Sequence, residues 1–177
     1  GNFEILKVEN FGTRASNEFI STRLAGFDID NFMRKFLIAF TDGNPFYLNK
    51  MVFRMKDIAL ERMTSHIDIG VATEAILDLV YNSSGTIHQY LMNYILELID
   101  ARSRDLHISI LASIASGRKR PSEIARQMHI TQAGVTEALQ RLSEQGLVAR
   151  SGIFYTIGDI MLDFWLKNVY ERKKRLL

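Results

Sequence analysis

Between Arg120 and Val148 the chain reads RPSEIARQMHITQAGVTEALQRLSEQGLV, two short helix-forming segments separated by His129, Ile130 and Thr131. Pro121 suits a first helical position, where its missing N–H costs nothing, and Ser122 and Glu123 suit the first turn. The helix so begun has room for about two turns. Thr131 can cap the next helix, whose Val135, Leu139 and Leu142 recur at i, i+4 and i+7 and so share one buried face. Gly146 then supplies a C′ stop. A turn this short forces the second helix across the first, which is the arrangement of a helix-turn-helix.

The flanks complete the unit. LHISILASIA (106–115) is an apolar helix ended by Gly117, and the basic run Arg118, Lys119, Arg120 follows. After Gly146 come LVAR, a tight turn expected at Ser151-Gly152, and the β-branched and aromatic IFYTI, which reads as a hairpin. A last helix is expected from near Asp159, burying Ile160, Phe164, Trp165 and Val169. Three helices, a two-stranded wing and a closing helix make a winged helix-turn-helix over residues 101–177.

Residues 1–100 read as helical. The short apolar FEILKV at 3–8 has strand character, but no second strand is evident before residue 147, so its sheet is expected upstream of Gly1. Thr13 is a candidate cap for a helix carrying Phe19, Ile20 and Leu24, with Gly26 ending it. Ile29, Phe32, Met33, Phe36, Leu37 and Phe40 form the stripe of a second helix, stopped by Gly43 and Pro45. Leu48, Met51, Val52, Met55 and Ile58 mark a third, and Ala75, Ile76, Leu79 and Val80 a fourth. A fifth, capped by Ser83 or Ser84, carries Ile87, Tyr90, Leu91, Tyr94, Ile95 and Leu98. These stripes read as packing faces rather than a cofactor pocket. The expected fold is mainly α: a helical, lid-like bundle over 1–100 and the winged helix over 101–177.

Composition removes several classes of function. The 177 residues contain no cysteine, and the four histidines (His66, His88, His107, His129) never sit at metal-ligand spacing, so no metal site is expected. No apolar run approaches the about 18 residues of a membrane span, and GNFEILKVEN lacks the basic and apolar regions of a signal peptide, so the cytoplasm is the expected location. No nucleophile pairs with a base, and an independent hydrolase finds no support. The net charge of +2 is uneven: residues 1–100 carry 9 Lys+Arg against 13 Asp+Glu, and residues 101–177 carry 13 against 7. An excess of +6 on the second part points to an anionic partner.

With Val135, Leu139 and Leu142 inward, the second helix turns Gln132, Ala133, Thr136, Glu137, Gln140 and Arg141 outward. Glutamine pairs with adenine and arginine with guanine or phosphate, so Thr131, Gln132, Thr136, Gln140 and Arg141 are the candidate groove readers. Arg118, Lys119, Arg120 and Arg150 are the candidate phosphate contacts. The rival reading is a winged helix kept as a brace, its outward face packed on protein.

The order FEILKV, NFGTRASNEFI, a helix leading into TDGNPFYLNKM, and a winged helix ending TIGDIMLDFWL resembles the C-terminal half of archaeal ATPases of the AAA+ and STAND type. The resemblance covers nearly the whole chain and implies a helical lid followed by a winged helix. It assigns Gly43, Asn44 and Pro45 to the lid's Gly-x-Pro motif, with Pro45 against the nucleotide base. Taken alone, the tripeptide is equally a helix stop. No G-x-x-x-x-G-K-[ST] occurs, and no apolar strand ends in paired acids for magnesium, so this chain alone is not expected to be an enzyme or to hold a cofactor. ATP and magnesium belong to the expected full-length parent, whose upstream ATPase half is the expected partner. The function implied is a regulatory element coupling nucleotide state to a winged helix that binds duplex DNA or protein, with oligomers allowed. The alternative is a stand-alone DNA-binding transcriptional regulator whose first 100 residues form a dimerisation or ligand domain.

Overall fold

The computed structural model describes residues 9–170 and divides the chain into two compact units, Gly1–His88 and Gln89–Leu177. The expected strand at 3–8 lies outside the described residues.

In the first unit, α1 (Thr13–Arg23), α2 (Asn31–Thr41), α3 (Pro45–Glu61) and α4 (Ile69–Ile76) pack around α3. Its Tyr47, Leu48, Met51, Val52, Met55, Ile58 and Ala59 are all buried. Short polar side chains start the helices. Asp30 accepts from the Met33 amide at 2.7 Å and Asp68 from the Val71 amide at 2.9 Å. Thr13 is the first residue inside α1, and Gly12 occupies the cap position. Ile29 just before α2, with Met33 and Leu37 in it, forms the core edge, while Phe32 is 68% exposed and Phe36 and Phe40 stack on each other half-buried. The expected stripe is therefore wider than the face that packs. A π-helical turn, Leu77–Tyr81, extends α4. Before α5 (Thr86–Leu98), the Ser84 amide and hydroxyl both donate to Asn82 Oδ1 in a turn.

The second unit is built on α6 (Arg104–Ala115), which is buried on almost every side from His107 onward. A helix apolar all round belongs in the middle of a core. Around it lie α7 (Pro121–Met128), α8 (Gln132–Glu144), the hairpin β1 (Val148–Ser151) and β2 (Phe154–Ile157), and α9 (Ile160–Trp165) with a π-helical turn at Leu166–Tyr170. Among the described residues this antiparallel hairpin is the one sheet. The fold is mainly α with a winged helix-turn-helix, as the sequence implies.

Two local expectations are corrected. Ser151 pairs with Phe154, so the two-residue turn is Gly152-Ile153, one residue later than expected. Gly152 supplies the positive φ (61°) that tight hairpin turns demand at their first central position. In α9 the buried face is Met161, Leu162, Trp165, Leu166 and Val169, leaving Ile160 45% exposed and Phe164 half-buried. Asp159 caps α9, accepting from the amides of Met161 and Leu162, so Ile160 is the first helical residue and points outward.

Candidate nucleic-acid interface

The helix-turn-helix is set by three local devices. Pro121 opens α7 at its first position, with Arg120 extended before it. His129 takes the left-handed conformation (φ 54°) and ends α7 within one residue. Thr131 then caps α8, its hydroxyl oxygen accepting from the Gly134 amide at 3.2 Å. The Thr131 O–H remains a donor. Val135, Ala138, Leu139 and Leu142 bury one face of α8, and Gln132, Ala133, Thr136, Glu137, Gln140 and Arg141 are all exposed on the other.

A cleft of about 380 Å³ opens between the start of α7, the first turns of α8 and the wing. Arg120, Ser122, Gln132, Thr136, Arg150 and Tyr155 line it, with Ile153 at its lip. No carboxylate takes part. The Arg120 guanidinium lies 5.0 Å from the centre of the Phe154 ring and that of Arg150 5.9 Å from Tyr155. Arg150 Nε also donates to the Gly152 carbonyl at 2.8 Å. Both cations are thus held on the wing, with donors left for an anion.

The basic run does not act as one patch. The Tyr155 amide donates to the Lys119 carbonyl at 2.9 Å, and the three side chains diverge from there. Arg118 lines a shallow surface with Glu123, Arg126 and Gln127. Lys119 lies in a separate hollow with Thr156, Asp163 and Lys167. Burial pushes the Asp163 carboxyl above its ordinary range, and the two lysines oppose that shift. Arg120 alone of the three enters the cleft.

The far half of α8 is also less basic than its sequence suggests. Arg141 pairs with Glu137 at 2.8 Å, and Gln140 donates to Glu144 at 3.2 Å. Of the excess of +6 in residues 101–177, the terminal ERKKRLL contributes +3, and it lies outside the described residues. The structure therefore gathers Arg120, Gln132, Thr136 and Arg150 and leaves Arg118, Lys119, Gln140 and Arg141 outside the cleft. Ser122, Ile153 and Tyr155 line it without having been singled out; the hairpin register decides which wing residues do so.

The Gly43-Asn44-Pro45 segment joins α2 to α3 in the first unit. Asp42 and Gly43 both take positive φ (52° and 63°), and the Gly43 carbonyl accepts from the Phe11 amide at 2.8 Å. Asn44 caps α3, its Oδ1 accepting from Phe46 and Tyr47 amides at 2.9 and 3.2 Å, and Pro45 is its first residue. The nearby Ser16 hydroxyl is buried with no hydrogen-bond partner. Among the described residues no cluster of His, Asp or Glu is arranged to hold a metal ion, and no helix is long and apolar enough to cross a membrane.

The MarR family model matches residues 104–152, the stretch from α6 through the wing turn. No curated protein matches the chain. Among solved structures, a Walker-type ATPase of Pyrococcus abyssi is similar over 90% of this chain, with a TM-score of 0.69 at 20% identity. The chain spans 43% of that ATPase's length, and at this identity the likeness is one of fold. The Thermotoga maritima RuvB Holliday junction branch migration motor aligns over 92% of this chain and 51% of its own, with a TM-score of 0.42 at 14% identity.

Proposed function

We propose that this chain is the lid and winged-helix portion of an AAA+ or STAND-type ATPase, of the kind found in archaea, and that its winged helix binds duplex DNA. The observation that carries the DNA reading is the cleft, lined by two arginines, three hydroxyl-bearing residues and a glutamine without a carboxylate. Arg120 and Arg150 would take phosphates of one strand, while Gln132 and Thr136 face the groove edge of the bases. Arg118, Lys119, Thr131, Gln140 and Arg141 extend the contact at its margins. The fold likeness to part of a Walker-type ATPase supports the parent assignment. In that parent, Gly43, Asn44 and Pro45 would face the nucleotide, and ATP with magnesium would be held by residues this chain does not contain. The lid would pass the nucleotide state on to the winged helix.

Titration of the 177-residue chain with random and enriched duplexes at about 50 mM salt, where electrostatic binding is strong, tests the DNA reading. Micromolar binding that weakens steeply with added salt is expected; no binding there would leave the winged helix as a brace within a larger protein. The second reading, a stand-alone regulator, is favoured by the MarR match over the helix-turn-helix and wing. A symmetric dimer in sedimentation, bound to a palindromic site, would select it.

A further inference from the structure

The wing turn carries no charge: Ser151, Gly152, Ile153 and Phe154 form it, and the two cations beside it are held over aromatic rings. Ile153 is 57% exposed at the lip of the cationic cleft and Phe154 is 42% exposed next to it. An apolar tip gains nothing from phosphate, and the floor of an intact minor groove offers it polar acceptors. What it can cover to advantage is the face of a base where stacking is broken. Apolar wedges of this kind sit between base steps in proteins that distort DNA, at an unstacking cost of a few kcal/mol per step. Where the stack is already interrupted, that cost is spared. Guanidinium planes also stack on unpaired bases, and those of Arg120, just before α7, and Arg150, on β1, both rest on rings of β2, Arg120 over Phe154 and Arg150 over Tyr155.

From this juxtaposition we infer that the interface selects DNA with interrupted base stacking over continuous duplex: Ile153 packs on an exposed base face while Arg120 and Arg150 hold the adjoining phosphates. The inference rests on the DNA reading above and names the form of DNA that the same cleft takes.

The test compares a fully paired duplex with one of equal length carrying a central mismatched bubble. The two present the same number of phosphates, and the unpaired strands release fewer counterions per contact, so electrostatics alone favours the duplex. The chain is expected to bind the bubble about 10-fold tighter, a difference of about 1.4 kcal/mol. Ile153→Ser should bring the two affinities to parity by weakening the bubble complex alone. Arg120→Gln should weaken both equally. Ile153 is exposed, so its substitution leaves the core intact, and an unchanged thermal transition checks this. Equal affinities for the unmodified chain, or a bubble preference that survives Ile153→Ser, overturn the inference while leaving duplex binding in place. If neither DNA is bound at about 50 mM salt, the DNA reading itself fails and the inference with it. Altered sedimentation of the Ile153→Ser chain with an undiminished bubble preference would make the tip a protein contact, and would equally overturn it.

Discussion

The amide of Tyr155 donates to the carbonyl of Lys119 at 2.9 Å, tying the basic run to the second strand of the wing. From there Arg118, Lys119 and Arg120 reach three different surfaces, and only Arg120 lines the cleft. Arg120→Gln and Arg150→Gln are each expected to flatten the slope of log affinity against log salt by about 1, whereas Arg118→Gln and Lys119→Gln change it by less. Fluorescence anisotropy across a salt series distinguishes the four; equal effects from all of them would mean that the run acts as a diffuse patch.

On α8 the expectation concerns sequence preference. Gln132→Ala or Thr136→Ala should relax preference at one base pair, at a cost of about 1–3 kcal/mol if the lost contact is a good pairing to a base edge. The same readout applies to Gln140 and Arg141. Glu137→Gln should raise affinity for every sequence, since it removes a like charge and frees Arg141 from its 2.8 Å pairing. Competition between enriched and scrambled duplexes measures both effects.

Gly43 is a stability prediction independent of any ligand. A Cβ there would lie 2.3 Å from the Phe11 carbonyl oxygen, and the backbone has φ +63°. Gly26, at φ +88°, has open space around its missing side chain. Gly26→Ala should therefore cost only the conformational strain, about 1 kcal/mol, and Gly43→Ala distinctly more, about 2 kcal/mol or above. Urea unfolding of the two variants gives the comparison, and equal losses would contradict the close approach of Phe11.

His107 gives a pH dependence. Burial first, and then the Arg141 guanidinium, hold its imidazole below the ordinary value, with Asp100 opposing. As pH falls below about 6.5, the unfolded chain takes up a proton at this position that the folded chain resists. The unfolded state then binds more protons, so stability declines with falling pH until the folded imidazole also protonates. His107→Gln should remove that part of the decline between about pH 6.5 and 5, above the range where carboxylates titrate. Arg141→Gln should lessen it. Denaturant midpoints across this window are the measurement, and an unchanged slope in His107→Gln would assign the decline elsewhere.

The end of α5 is tied by hydrogen bonds to the winged helix. Gln145, just after α8, donates to the Leu98 carbonyl, and Arg104 at the start of α6 donates to that of Leu96 at 3.5 Å. Ile95 and Ile99 are buried in the same stretch. A fragment of residues 89–177 is expected to melt cooperatively, and one of residues 101–177, which lacks these partners, at a lower temperature. Identical transitions would show that the end of α5 adds nothing to the winged helix.

Much of this was legible in the sequence where a single local device decides the outcome. Pro121, Thr131 and Gly146 each fix a helix end by backbone chemistry, and the helix-turn-helix follows from them. The outward set on α8 follows from one apolar period. Sequence could not show what depends on partners distant in the chain. Nothing in RKR announces that Lys119 will bond to Tyr155, or that Phe32 will stand outside the packed edge of α2. Of the face expected for the last helix, Trp165 and Val169 are buried, while Ile160, the first helical residue after the Asp159 cap, and Phe164 are not.

The one-residue displacement of the wing turn is a matter of parity. Because side chains on a strand alternate between two faces, odd and even positions are sorted by where the turn falls. With the turn at Gly152-Ile153, Tyr155 is buried and Phe154 is exposed. A slip of β2 by one residue against β1 would exchange them, turning the phenol outward and the phenyl ring inward, and would take from Arg120 the ring it rests on. A slip of one in this hairpin thus re-sorts the residues that form the cationic cleft, whereas a slip of two keeps each side chain on its own face.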